Sequence, residues 1–392
     1  MTYFEPSRLL RRLPEQFFAA LSLKAAEKIK EGCDIINLGQ GNPDQPAPAH
    51  IVKALQKAAE EPANHKYSPF RGKQSFRAAA STFYKREYGV ELDPETEIAI
   101  LFGGKAGLVE LPQCLLNPGD VALVPDPGYP DYWSGVEMAG AGMHMLPLLE
   151  KNEYLPDYDQ IPDPVLLKTK LMFLNYPNNP TGAAANAAFF RETADFAKQH
   201  HICTIHDFAY GAIGFDGEKP LSYLQTPGAK ETGIEIYTLS KTFNMAGWRV
   251  AFAAGNASVI EAINLFQDHM YVSVFGAVQD AAEAALLDRG DSLKALVRMY
   301  ERRRNTLVDA FKEIGWNIQA PKGSFFAWLP VPERFTSQEF SDLLLEKAHV
   351  LTAPGSGFGQ FGEGYLRAGL LTDEARIREA AERIGKLDIF RP

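Results

Sequence analysis

Short, nearly unbroken apolar runs alternate along the chain with longer stretches in which apolar positions recur every three or four residues. The runs include EIAILFGG (97–104), DVALVP (120–125), KLMFLNYP (170–177), ICTIHD (202–207), IEIYTLS (234–240) and RVAFAAG (249–255). Continuous apolar runs of this length, closed by Gly, Pro or Asn, predict strands buried on both faces. Segments such as AAFFRETADFAKQH (187–200) carry the helical period between them. The alternation predicts βαβ units and an α/β fold, a mostly parallel sheet sandwiched by helices. After about residue 256 the texture changes to long amphipathic helices, LKALVRMYERRRNTLVDAFKEI (293–314) and DEARIREAAERIGKL (373–387), around the apolar GSFFAWLPV. That pattern predicts a second, smaller α+β domain, to which a helix around 15–31 and the strand DIINLG (34–39) are assigned. The expected division is a large α/β domain over residues 46–275 and a small domain built from 1–45 plus 276–392, packed together without a polar linker.

A length of 392 residues agrees with more than one unit, since single cores stop growing well below it. Net charge is −9, and no basic block is dense enough to track a phosphate backbone, which argues against a nucleic-acid partner. The apolar stretch after Arg8, Arg11 and Arg12 is short and broken by Lys24, so neither a secretory signal nor a membrane span is expected. Cys33, Cys114 and Cys203 are odd in number and widely spaced, which fits a reducing cytoplasm and no disulfide framework.

Ligands of open α/β sheets gather at the carboxyl ends of the strands. The residues there are Gly103-Gly104-Lys105, Pro125 to Tyr129, Asn175 to Gly182, Asp207 with Tyr210, and Thr238, Ser240 and Lys241. A lysine, a carboxylate, an asparagine, tyrosines, hydroxyls and the nearby Arg249 form the set that pyridoxal phosphate requires. A lysine amine can form a Schiff base with the aldehyde, for which Lys241 is the candidate. Asp207 would keep the pyridine nitrogen protonated. Asn179 and Tyr210 would donate to the phenolic oxygen, and Tyr129 would cover the ring face. Arg249, Thr238, Ser240 and the backbone of Gly104 and Lys105 at a helix start would hold the phosphate. Arg367, inside the short apolar strand of GYLRAGLL, needs an anionic partner, and its fork suits an α-carboxylate.

Each signal has a plainer reading: a solvated lysine, a turn in NNPTG, a helix cap at Asp207, an ion-paired core arginine. Their joint order is what these readings leave unexplained. GFGQFG (357–362) matches a dinucleotide fingerprint, but a strand follows it instead of a helix. His200, His201, His206 and Asp207 fit no metal-ligand spacing, so no metal is expected. No G-x-S-x-G nucleophile elbow occurs.

NNPTG, HDFAY, SKTFNMAGWR and YLRAGL, in that order, resemble the fold-type I, class I/II pyridoxal-phosphate aminotransferases over nearly the whole chain. The resemblance implies Lys241 as the Schiff-base lysine and the roles above for Asp207, Asn179, Tyr210, Tyr129, Arg249, Thr238, Ser240 and the Gly104-Lys105 backbone. It implies Arg367 as the carboxylate grip and Gly41 of LGQGNPD as a backbone bordering the substrate, with Asn179 touching it as well. Tyr67 of YSPFRG would reach the phosphate of a neighbouring subunit, which implies a homodimer. The chain departs from the family at Gly104, where a serine hydroxyl is common, at Thr238, where serine is usual, and at Ala251, where glycine is usual. NLGQGNPDQP, LFGGKAGLVELPQCLLNPGD and PDPGYPDYWSGVEMA are similar to the branch of the family serving methionine salvage in bacteria. That similarity implies transfer of an amino group from a donor amino acid to 4-methylthio-2-oxobutanoate. Other aminotransferase specificities (aspartate, alanine, aromatic or LL-diaminopimelate) and C–S lyases of the same fold stay open. No second arginine is in evidence for a side-chain carboxylate, and Phe17, Phe18 and Tyr132 are candidate pocket walls.

Overall fold

The computed structural model describes residues 2–14 and 17–390. In chain order the first strands are β1 (Ile36–Asn37), β2 (Ile98–Leu101), β3 (Val121–Asp126), β4 (Gly142–Pro147), β5 (Thr169–Leu174) and β6 (Cys203–Asp207). They are followed by β7 (Gly233–Thr238), β8 (Ala251–Gly255), β9 (Phe326–Pro330), β10 (Val350–Leu351), β11 (Ala353–Pro354) and β12 (Tyr365–Gly369). Seven strands form the large sheet in the order β2-β8-β7-β6-β5-β3-β4. Only β8 runs against the rest, antiparallel to both β7 and β2.

The unbroken apolar runs arise because both faces of this sheet are covered. Ile98 and Ile100 of β2 and Met172 and Leu174 of β5 join one core with Phe76, Tyr84 and Phe190. Their alternates Ala99, Leu101, Leu171 and Phe173 join another with Leu108, Leu111 and Ile260, as the two-residue period of a strand requires. The apolar pattern missed β4, an edge strand of sequence GMHMLP whose side chains are mostly half-exposed and which lacks the β-branched residues that mark strands.

The smaller unit holds the antiparallel sheet β11-β12-β9 and the parallel pair β1-β10. Ile36 and Leu38 pack there with Phe311, Trp316, Phe340 and Ile377, so the expected strand over 34–39 shortens to two paired residues. The helix Gly276–Leu287, which the sequence division places with the second unit, sets Ala281, Ala282 and Ala285 into the core around Ile51 and Phe76. The first helix, Phe17–Lys30, buries Leu21 and Ala25 beside Trp328, Leu351 and Phe358. Burying one leucine is worth about 2 kcal/mol, so packing holds this helix in place. Residues 15 and 16 of the expected helix lie outside the described residues. No helix among the described residues is long and apolar enough to cross a membrane.

The carboxyl ends of the parallel strands open at one edge of the large sheet, and the smaller unit covers that edge. Asp126 at the end of β3 accepts the N–H groups of Gln360 and Phe361, at 3.0 Å each. The site lies where the two units meet.

Candidate active site

A cavity of about 500 Å³ lies at this edge. It is lined by Lys241, Asp207, Asn179, Tyr210, Tyr129, Thr238, Ser240, Arg249, Gly104, Lys105, Gly41 and Arg367, which come from separate loops and from both units. Tyr67 is elsewhere, 90% exposed on the surface.

Lys241 stands in a four-residue helix, Leu239–Thr242, that starts as β7 ends; the Thr238 hydroxyl caps it by accepting the Ser240 N–H. The lysine amine donates to the Gly41 carbonyl at 2.8 Å and lies 5.4 Å from the centre of the Phe325 ring. Burial, then the charges of Arg367 and Arg249, lower its pKa to about 8, against the opposing pull of Asp207. Asp207 closes β6, with its carboxylate buried and accepting the Tyr132 hydroxyl at 2.8 Å. Burial raises its pKa to about 6, offset in part by that hydrogen bond and by nearby positive charge.

At one end of the cavity the helix Gly104–Leu115 begins without any side-chain cap. Its first N–H groups therefore present positive charge to the cavity. The Arg249 guanidinium is packed so closely on Gly103 that a Cβ there would collide with it. The Thr238 hydroxyl donates to Ser240 Oγ at 2.9 Å. Lys105 turns its side chain aside to Asp131 at 2.9 Å, leaving its backbone at the helix start. This end gathers an uncapped helix start, a guanidinium and two hydroxyls, groups that can pair with an anion.

At the other end Arg367 of β12 is 1% exposed, and no Asp or Glu side chain pairs with it among the described residues. Its Nη1 donates to Asn179 Oδ1 at 2.9 Å, its Nη2 donates to the Gly39 carbonyl at 3.0 Å, and its Nε has no partner. The rings of Phe326, Phe358 and Phe18 surround the guanidinium at 4.0, 4.7 and 5.0 Å. Burial lowers its pKa to about 9, so it stays charged at neutral pH. A buried cation without an anion is costly, and the cavity it borders is where a carboxylate would relieve that cost.

Sequence reading passed over several supporting groups. Tyr132, considered only as a wall, is the hydrogen-bond partner of Asp207 and stacks on Phe173 at 4.7 Å. A turn closed by the Tyr132 N–H donating to the Tyr129 carbonyl brings the two rings to 5.8 Å between centres. Asn175 joins Asp207 to Asn179: its Nδ2 donates to the Asp207 carbonyl and its Oδ1 accepts the Asn179 N–H, each at 2.7 Å. Phe326 and Gly39, from the smaller unit, were not anticipated beside Arg367. Phe18 lines the cavity, whereas Phe17 packs on Phe358 behind it.

The chain matches the family model "Aminotransferase class I and II" over residues 33–384. It belongs to the class I and II aminotransferases. This aminotransferase is 64% identical over 387 residues to the L-glutamine–4-(methylsulfanyl)-2-oxobutanoate aminotransferase of Bacillus subtilis (strain 168), covering 99% of this chain and 97% of that protein. It is 52% identical to Transaminase BacF of the same organism over 390 residues, 98% of this chain and 96% of that one. Among solved structures, substrate-bound BacF superposes with a TM-score of 0.96 at 51% identity, covering 99% of both chains. Aspartate aminotransferase from Thermus thermophilus with maleate superposes with a TM-score of 0.92 at 28% identity, covering 98% of this aminotransferase and 100% of that chain.

Proposed function

We propose that this aminotransferase holds pyridoxal 5′-phosphate in the cavity and transfers an amino group from glutamine to 4-(methylsulfanyl)-2-oxobutanoate, forming methionine. The observation that carries the reading is the meeting, in one cavity, of a lysine of lowered pKa and a buried carboxylate between the guanidinium groups of Arg249 and Arg367. The donor set fits the cofactor: Arg249, the uncapped helix start at Gly104 and Lys105, Thr238 and Ser240 would hold the phosphate. Asp207 would face the ring nitrogen, Asn179 and Tyr210 the phenolic oxygen, and Tyr129 the ring face. When bound, the cofactor supplies an aldehyde and an electron-withdrawing ring that makes a substrate Cα–H acidic.

The chain's own residues supply the rest. Arg367 fixes the substrate α-carboxylate by a two-pronged contact, and the Gly41 backbone borders the same end. Lys241 would serve as the base that takes the proton from the substrate Cα in one half-reaction and, in its protonated form, as the acid that delivers a proton to Cα in the other. Donor and acceptor use the same cavity in turn, which gives ping-pong kinetics. The side chain of Lys105, which also lines the cavity, is occupied by Asp131. Phe18, Leu21 and Leu351 offer apolar wall, which supports a neutral side chain such as a thioether, and the named activity of the relative at 64% identity supports this acceptor and donor.

The reading extends to a cytoplasmic homodimer. Tyr67 and Phe275 line one surface depression, and Phe70, Leu265 and Met270 are exposed as well; apolar side chains of this size on a surface favour an interface. Its three cysteines are unpaired, as a reducing compartment requires.

The test is a panel of 2-oxo acids against several amino donors, compared by kcat/KM, with Lys241→Ala as the control. The reading requires 4-(methylsulfanyl)-2-oxobutanoate and glutamine to lead their series and Lys241→Ala to be inactive. Turnover by that variant at the wild-type rate would sink it. Release of pyruvate and ammonia from cystathionine would turn the assignment to a lyase.

A further inference from the structure

We infer that His206 and Glu235 form a buried positioning pair that holds the loop carrying Asn179 in place; the inference rests on the proposed function only for the identity of the cofactor. Successive side chains of a strand point to opposite faces, so Asp207 faces the cavity and His206 lies behind it. His206 and Glu235 are both 0% exposed and stand directly opposite each other in the β6–β7 register. The His206 Nδ1–H donates to Glu235 Oε1 at 2.8 Å. Glu235 also accepts the Tyr223 N–H at 2.6 Å, the Ser222 hydroxyl at 2.7 Å and the Tyr84 hydroxyl at 3.0 Å. A carboxylate with that many donors is fixed, and it fixes the ring bonded to it.

The far nitrogen of the ring reaches one residue. His206 Nε2 lies 3.2 Å from the Tyr176 amide nitrogen and 3.0 Å from the Tyr176 carbonyl oxygen. A neutral ring accepts the N–H and a charged ring donates to the carbonyl, so either charge state holds the same residue. Tyr176 follows Asn175, which is tied on the cavity side to the Asp207 carbonyl and to the Asn179 N–H. The loop is thus pinned from both faces of β6. Its last member, Asn179, meets Arg367.

Packing alone has no need of this pair. The ring sits among Phe190 and Phe208, at 5.2 and 4.9 Å between centres, where apolar side chains of the same volume would avoid burying a polar group and a carboxylate. What the pair adds is a fixed peptide at Tyr176.

His206→Phe keeps the ring volume and removes both hydrogen bonds. The apoproteins are compared by deuterium exchange of the segment 175–182, with the helix Ala187–His200 as internal reference, and by titration with pyridoxal phosphate. The expected result is loop exchange accelerated about tenfold or more with the reference helix unchanged, and pyridoxal phosphate bound about tenfold more weakly. Unchanged loop exchange, equal acceleration in the helix, or unaltered cofactor affinity of the folded variant overturns the inference. If His206→Phe does not fold, Glu235→Gln, which weakens the ring's anchor, is read by the same two measurements. A wild-type protein that does not bind pyridoxal phosphate counts against the proposed function, while loop exchange still decides the role of His206.

Discussion

Lys241 illustrates how one side chain becomes reactive through its surroundings. An ordinary lysine titrates near 10.5, and here burial and two guanidinium charges bring the value to about 8. Because the charged form is the one disfavoured, the neutral, nucleophilic amine prevails above that value. Capture of pyridoxal by the apoenzyme is therefore expected to accelerate with pH to a half-maximal rate near pH 8, measured by stopped-flow absorbance. A midpoint near 10 would mean that the amine is solvated. Asp207 is shifted in the opposite sense for the same reason, since burial disfavours its charged form too. In the apoprotein its contribution to stability is fully present below its unfolded value of 3.8 and is lost as pH rises through about 6.

Short elements at the sheet edge do the binding at the next scale up. The helix Gly104–Leu115 starts on Gly103, whose φ of 90° is a left-handed conformation that side chains disfavour. A Cβ at that position would also strike the Arg249 guanidinium. Gly103→Ala is expected to displace Arg249 and weaken binding of pyridoxal phosphate about tenfold or more, with little effect on binding of pyridoxal. Equal titration curves for wild type and variant with the phosphorylated ligand would refute that use of the helix start. A Cβ at Gly104 would stand 3.4 Å from that of Thr238, an ordinary contact, and the hydroxyls beside this helix start are those of Thr238 and Ser240.

The whole molecule divides the work between units. Lys241, Asp207 and the anion-binding end belong to the large sheet, while Arg367 and Gly41 arrive from segments packed with the smaller sheets and the N-terminal helix. In the proposed homodimer the exposed Tyr67, Leu265, Met270 and Phe275 would meet a second copy of the chain. Paired Met270→Glu and Phe275→Glu changes are expected to halve the mass seen by light scattering at micromolar concentration, and Tyr67→Phe to weaken cofactor binding without changing that mass. A wild-type monomer with full activity would remove this assignment.

Much of this was legible in the residues themselves. Unbroken apolar runs marked six strands of the large sheet because a strand covered on both faces leaves no polar position to dilute the signal. NNPTG, HDFAY and SKTFNMAGWR marked the edge of that sheet because loops there carry chemistry in place of packing, and YLRAGL marked β12 of the smaller unit, which brings Arg367. The edge strand β4 escaped notice, and the strand expected over 34–39 is only two residues long, since half-exposed or very short strands leave no period to read. The partnerships of Tyr132, Asn175 and the aromatic rings around Arg367 also escaped notice, since they are made with residues distant in the chain. The sequence by itself determined which side chains are chemically suited to the site. Only the tertiary structure decided their charge states and which of them meet, because burial and proximity across the two units are properties of the folded chain alone.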